Sequence, residues 1–418
     1  MLPRTRTAWV RLFLVVVLFL AMPPGMMRGL GFWPGAPAPH AHAAADPAGP
    51  DPADPVEPGL PGSAQPEAAD SAGPEPSEAA EPGPPGPEET GPPALPAEVS
   101  FREETVTVGE EPWLLEGTLT LPDRPGPFPG VVLVADFGPY DRDETAGPDR
   151  PFRDLARGLG RRGIASLRFD KRTAVYGPKM DGNAITVEEE VIADALSAAS
   201  LLREQEGVGP VFILGHGLGA TLAPEIARRA GAAGAVLLAP FATPLDELVR
   251  QQLEASFSAD GRLTLTESAQ LERARAAVEQ FRQGKTDPAQ TFLGPSRYFV
   301  DLRQRNPLRQ AVQYLQPMLI LQGGRDEQVP PSELDRWRQA LAGRRDVELR
   351  LYAELNHRFA WGPDPSPSTT YRWPRQVQPE VIEAVALWIL RQAPAAGEPR
   401  GAAEDGPGAP AAGSALGA

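Results

Sequence analysis

Short apolar runs bounded by glycine or proline alternate with segments of helical period across residues 99–391. ETVTVG and WLLEGTLTLP read as opening strands, and GVVLVADFGP as a buried strand that ends in a glycine loop. PFRDLARGLGRRG reads as a helix with Pro151 in its first turn, and IASLRFD as the next strand. TVEEEVIADALSAASLLREQE has the pattern of an amphipathic helix capped by Thr186, with acids in its first turn. VFILGHGLGATLAPEIA is a strand, a glycine turn and a helix. AGAVLLAP, QPMLILQGG and DVELRLYAEL are further strands, and QPEVIEAVALWILRQ is a closing helix. This alternation predicts an α/β fold: a mostly parallel, mixed sheet with an antiparallel start and helices on both faces. Between 243 and 316 the alternation stops. LDELVRQQLEASF, ESAQLERARAAVEQFRQG and RYFVDLRQRNPLRQAV are helical in period, and they predict a lid inserted between two strands over the sheet's C-terminal edge. No internal repeat is visible.

The flanks have a different character. Arg4, Arg6 and Arg11 precede the apolar run at 12–22, which has the length of a signal h-region rather than a membrane span. The Ala-His-Ala at 41–43 is a candidate cleavage site, set far from that run, so residues 1–43 are expected to be a signal peptide or a signal anchor. Residues 44–98 are rich in Pro, Ala, Gly and Glu, and are expected to form a disordered acidic spacer. A similar tail is expected at 392–418. The expected location is therefore exported, secreted or held on the outer face of the cytoplasmic membrane, with the N-terminal segment in contact with it. Much of the net charge of −15 lies in the spacer, so the pI of 4.9 says little about the folded part. It does argue against a nucleic-acid partner, which needs a basic surface. The 418-residue chain has no cysteine, so disulfides, thiolate metal sites and a thiol nucleophile are excluded.

The glycine turn admits two chemistries. Gly215, Gly217 and Ala220 satisfy the spacing of a phosphate-binding turn between strand and helix. Several strands precede it, however, and no carboxylate follows until Asp246, where a ribose ligand would be needed much earlier. The other reading is a nucleophile elbow, G-x-S-x-G, framed by Gly215, His216, Gly217, Leu218 and Gly219. The acid and base that should follow in chain order are Asp326 in LILQGGRDEQVP and His357 in LYAELNHRFAWG. Either residue alone would be an ordinary loop residue. At the ends of successive strands, in that order, they support the fold. The domain's two histidines, one in the elbow and one in a loop, do not make a metal ligand set, and no cofactor is expected.

The stretches GPYDRDETAGPDRPFRDLARGLGRRGIASLRFDKRTAVYGPKM, EEEVIADALSAASLLREQEGV, LILQGGRDEQVP and LYAELNHRFAWG resemble the exported carboxylesterase-like, serine aminopeptidase-type branch of the α/β-hydrolase superfamily. The resemblance covers nearly the whole domain and implies an α/β-hydrolase fold with an ancestral serine esterase activity. It also implies that Gly217 stands where relatives carry the nucleophilic serine. Ala135-Asp136-Phe137 stands where they carry a His-Gly that provides an oxyanion-hole amide. Leu218, Asp136 and Phe137 then occupy oxyanion-hole positions, and an ionised Asp136 there would repel an oxyanion unless it points away or caps a helix.

Glycine has no side-chain oxygen, so no acyl-enzyme can form at 217. Thr221 lies one helical turn on, as a poorly placed substitute. Three functions remain open. The first is an exported pseudo-hydrolase whose cleft binds a small apolar ligand or ester, or whose surface meets a protein or cell-envelope partner. The second is an esterase-like hydrolase with a non-standard nucleophile or a water activated by His357. The third is a proton-transfer enzyme that uses the His357–Asp326 pair.

Overall fold

The apolar runs become the centre of one twisted sheet. The computed structural model describes residues 96–393 except 182–183, 259–260, 287–292, 294–295 and 363–374. The N-terminal segment, nearly all of the spacer and the tail lie outside the described residues. Eight strands are ordered β1-β2-β4-β3-β5-β6-β7-β8. They are β1 Phe101–Val108, β2 Leu115–Pro122, β3 Phe128–Val134, β4 Ala165–Phe169, β5 Val208–His216, β6 Ala235–Leu238, β7 Met318–Gly323 and β8 Val347–Tyr352. β1 and β2 run antiparallel, and β2 meets β4 antiparallel. From β4 onward every pairing is parallel. A parallel strand needs a crossover and is covered on both faces, which is why β3, β6 and β7 are buried at every position.

The helices close these crossovers. α1 Pro151–Arg161 starts on Pro151, and α2 Arg172–Tyr176 is a single short turn after β4. α3 Ala193–Arg203 is preceded by a π turn at Glu188–Ile192. Thr186 and Glu189 cap that entry reciprocally, the Glu189 N–H reaching Thr186 Oγ1 at 3.4 Å. α4 Leu218–Ala230 follows β5 directly. Among the described residues, four helices lie between β6 and β7: α5 Leu245–Ser258, α6 Leu265–Arg282, α7 Ser296–Arg305 and α8 Pro307–Gln313. α6 opens on a capping box made by Thr264 and Glu267. α5, α6 and α7 bury a cluster of their own, including Leu253, Phe257, Phe281 and Phe299. α9 Ser332–Ala340 and α10 Pro379–Gln392 complete the two flanks. One face of the sheet packs on α3, α4 and α9, and the other on α1 and α10, where Trp388 meets Phe212 edge-on at 6.0 Å.

The register decides where the chemistry sits. Val134 pairs with Gly215, Gly215 with Leu237, Leu238 with Leu321, and Gly323 with Tyr352. The strands therefore end level with one another, and the loops after β3, β5, β7 and β8 emerge along one edge. Asp136, Gly217, Asp326 and His357 lie on those four loops.

Candidate active site

The turn after β5 is as sharp as its glycines predict. Gly217 has φ +51° and ψ −111°, a conformation that side-chain-bearing residues rarely adopt. Its N–H donates to Leu238 O at 2.9 Å, and its carbonyl receives the Thr221 N–H at 3.0 Å, so α4 begins at once. Gly219 packs against the backbone of Val134, leaving no room for a Cβ.

Asp326 and His357 meet as their chain order predicts. The His357 Nδ1–H donates to Asp326 Oδ2 at 2.9 Å. Asp326 also receives the N–H groups of Gln328 and Val329, at 2.8 and 2.7 Å, and Gln322 Nε2 at 2.9 Å. The tight loop after β7 thus holds the carboxylate from several sides.

Asp136 points inward. Its Oδ2 accepts from His357 Nε2–H at 3.1 Å, and its Oδ1 accepts from the Leu218 N–H at 2.6 Å. Leu218 is the first residue of α4, so the same carboxylate caps that helix. A Cβ built on Gly217 would fall inside the Asp136 carboxylate. Aspartate and glycine are sterically complementary: the carboxylate occupies volume that any side chain at 217 would need. The Asp136 N–H is also committed, donating to Glu144 Oε1 at 2.8 Å. Of the three oxyanion-hole positions, then, Leu218 has its amide on a carboxylate and Asp136 has its amide on another. Phe137 turns its ring toward Tyr298 and Phe299 of α7, at 6.0 and 6.4 Å. The Thr221 hydroxyl is buried against Gly217 O and Phe241 O and receives the Phe241 N–H, so it serves the backbone and does not face this cluster.

His216 is drawn in by a residue the pattern did not single out. Its Nδ1–H donates to Glu144 Oε1 at 2.9 Å, and its Nε2–H donates to the carbonyl of His357 at 2.9 Å. The two imidazoles lie 4.5 Å apart, centre to centre. Glu144 is buried, keeps φ at +55°, and has Oε2 buried with no partner among the described residues. Such a backbone persists only where its surroundings over-determine it, and here two donors lock the carboxylate. Its one sequence signal was the acid-rich run DRDET, which by itself reads as a solvated loop. A second support comes from Lys171, whose Nζ donates to Asp136 O at 2.8 Å and pairs with Glu190 at 3.1 Å. The Tyr298 hydroxyl donates to the same Glu190 at 2.7 Å, tying α7 to the Asp136 loop.

The protonation states follow from the partners. Burial disfavours charge on His357, but Asp326 and Asp136 at its two nitrogens outweigh that and hold its pKa well above the ordinary imidazole value. Burial likewise opposes charge on His216, and Glu144 outweighs it, so its pKa is also raised. Burial pushes Asp136 upward, yet the His357 hydrogen bond and charge, the His216 charge and the Leu218 amide bring it well below the usual carboxylate range. Acceptors at both nitrogens of each ring favour its doubly protonated form, and Asp136 is held ionised.

The fold also brings the two histidines into contact. Separated by 141 residues, they come together with Asp136, with ligand atoms within 4.8 Å of one another, because the loop after β8 folds over the end of β5. Among the described residues this is the one such grouping. Each ring nitrogen of both histidines nevertheless faces an acceptor, so each carries a proton where a metal needs a lone pair. The donor set fits a proton-holding network.

Comparison with known proteins agrees with this geometry. The family model described as "Serine aminopeptidase, S33" matches residues 150–363. Esterase EstD of Thermotoga maritima is 40% identical over 293 residues, covering 70% of this chain and 68% of that protein. Among solved structures, Est1E from Butyrivibrio proteoclasticus is similar with a TM-score of 0.45 and 17% identity, over 69% of this chain and 98% of that one. An esterase domain from Rhodothermus marinus has a TM-score of 0.45 and 16% identity, over 69% and 98%. Likenesses that distant carry no weight for function. The family match, the relative and the level strand ends that bring Asp326 to His357 agree on one conclusion: this chain belongs to the serine aminopeptidase S33 family and is a carboxylesterase-like α/β-hydrolase.

Proposed function

We propose that this chain is an exported, carboxylesterase-like α/β-hydrolase in which serine-type acyl transfer is silent. The observation that carries the reading is the overlap between a Cβ at 217 and the Asp136 carboxylate. Where relatives place a serine, this chain has neither the hydroxyl nor the space for one. The amide that would hold a substrate oxyanion, Leu218 N–H, is held by Asp136 Oδ1 at 2.6 Å. An ionised carboxylate beside a developing oxyanion raises its energy, whereas a free donor would supply roughly 3–4 kcal/mol of stabilisation.

The two readings that rely on His357 as a base are weaker. With both nitrogens donating to carboxylates, the ring has no lone pair to accept a proton from water or from an acidic substrate. Export is supported by Arg4, Arg6 and Arg11 before the apolar run at 12–22, and by the acidic spacer that follows. On this reading the four helices between β6 and β7 act as a lid, and the chain works outside the cytoplasmic membrane on a small apolar ligand or beside an envelope partner.

The test is chemical. Native protein is offered a short p-nitrophenyl ester and a fluorophosphonate, beside an ordinary serine esterase. The expected outcome is no turnover above the uncatalysed rate and no label. Stoichiometric labelling of the native chain would overturn the reading. Fractionation of the producing cells tests export, which fails if the chain stays with the cytoplasm.

A further inference from the structure

We propose that the free edge of β8 is the surface on which two copies of this chain pair, antiparallel, in a two-fold symmetric dimer centred on Leu349. β8 ends the sheet: it pairs with β7 on one side, and among the described residues its other side meets no strand. Alternate residues of such a strand turn both backbone groups toward the neighbour. The Met318 N–H donates to Asp346 O at 3.1 Å and the Gly324 N–H to Tyr352 O at 2.7 Å, so the even-numbered residues face β7. Val347, Leu349 and Leu351 therefore aim their N–H and C=O groups away from the sheet, and those groups have no hydrogen-bond partner among the described residues. An edge of this kind is a template for another strand, and proteins blunt it with lysine, proline or a bulge. β8 reads VELRLY and runs in unbroken register, with none of the three.

The strand's own charges select the occupant. A two-fold axis at Leu349 sets Leu349 against itself, Val347 against Leu351, and Glu348 against Arg350. The outward-facing Val347, Leu349 and Leu351 become the hydrogen-bonded positions, with two bonds exchanged in each of three pairs. Glu348 and Arg350 fall between them, at the positions where opposed side chains come closest. Each glutamate then meets the arginine of the other copy. Both side chains are open to this contact, Glu348 at 36% and Arg350 at 40% exposure. The neighbouring registers set acid against acid: an axis at Val347 opposes Glu348 to Asp346, and an axis at Leu351 opposes Glu348 to Glu354. Self-complementarity in one register, with repulsion in those beside it, fits a second copy of this chain better than an unrelated strand.

The apolar side chains agree with the charges. Val347, Leu349 and Leu351 share one face of the strand, where Leu351 is 52% exposed and the other two are half-buried. In the dimer Leu351 lies beside Val347 of the second copy, so pairing covers the exposed leucine of β8. On the other face Arg391 of α10 reaches Glu348 at 2.7 Å, and the half-buried Leu387 lies one helical turn before Arg391. That face therefore offers an apolar side chain beside the charged pair. The paired strands run in opposite senses, so the two C-terminal sheet edges, and with them the two candidate active sites, face opposite ways. β8 leads into the loop that holds His357, and pairing anchors the strand from which that loop departs.

The experiment weighs the full chain by size-exclusion chromatography with light scattering over a dilution series. Native protein should show twice the chain mass and dissociate on dilution. Glu348→Arg and Arg350→Glu, each checked by its melting curve, set like charges together and should each weaken the dimer at least about tenfold. Mixing the two single variants opposes arginines to glutamates again and should restore the doubled mass, as should the double variant that exchanges the two residues. Damage to the fold would not be rescued by mixing. In hydrogen exchange the amides of Val347, Leu349 and Leu351 should be protected in the dimer and exchange at least about tenfold faster in either single variant at the same concentration. A native chain that is monomeric throughout the series overturns the proposal, whether those amides are open or covered by another segment of the chain. A dimer of unchanged strength in both single variants overturns it too, as does a mixture that stays monomeric.

Discussion

Placing a serine at position 217 should damage this protein. In Gly217→Ser the new Cβ enters the volume of the Asp136 carboxylate, at a backbone φ of +51°. The carboxylate must swing away, breaking its 2.6 Å bond to Leu218 N–H and its 3.1 Å pairing with His357. Removing one partner from a buried ion pair costs about 3–5 kcal/mol. Serine in this backbone region adds about 1–3 kcal/mol. Relief through the exposed edge of Asp136 offsets part of that sum, so we expect a net loss of about 3–5 kcal/mol. For a domain of this size that lowers Tm by about 5–8 °C. The assay is a double-mutant cycle of Gly217→Ser with Asp136→Gly, read by thermal melting and fluorophosphonate labelling. The glycine at 136 vacates the space, so the second change should cost little in the serine background, giving a coupling of about 2–3 kcal/mol. Labelling should appear only in the double variant, where His357 Nε2 is free to take a proton from the serine. A single Gly217→Ser protein that melts with wild type and labels like an ordinary serine esterase refutes the steric argument, and so do additive stability changes.

Three further outcomes are expected. The His357 imidazole, followed by nuclear magnetic resonance, should titrate well above pH 6.5 in the native chain, and Asp136→Asn should move it downward because one of its two carboxylates is gone; an unmoved titration contradicts the pairing. The Asp136–His357 contribution to stability should be complete between about pH 4 and 6.5. His357 is raised on folding, so its share is lost as pH climbs through its folded value. Asp136 is depressed, so its share is lost only as pH falls into strong acid. The stability gap between native protein and Asp136→Asn should therefore narrow on the alkaline side, and a gap that widens there is the opposite of what this network predicts. Glu144→Gln leaves the buried His216 without its charge partner, and should lower the urea unfolding midpoint by the equivalent of about 2–3 kcal/mol at unchanged m.

Local pattern revealed the sheet, the elbow and the loops of Asp326 and His357, because each depends on residues close together in the chain. The glycines at 215, 217 and 219 mark a sharp turn wherever a strand must pass directly into a helix. Fully apolar stretches such as FPGVVLV mark a strand covered on both faces. Glu144 and Lys171 were not legible as site residues. Each is an ordinary charged residue in a loop until the fold places it against His216 or under Asp136. The direction of the Asp136 side chain was likewise undecided, since pointing inward and capping a helix looked like alternatives. The structure has it do both.

By itself the sequence determined that the fold is a hydrolase scaffold and that position 217 carries no hydroxyl, since both follow from residue identity and spacing. Tertiary structure alone decided what fills the volume beside Gly217. Asp136 and Gly217 are far apart in the chain, and whether one's carboxylate enters the other's empty volume depends on β3 and β5 lying side by side in register. It also decided the charge on the two histidines. A buried imidazole holds or releases its proton according to which acceptors face its nitrogens, and those acceptors come from three separate loops, after β3, β7 and β8.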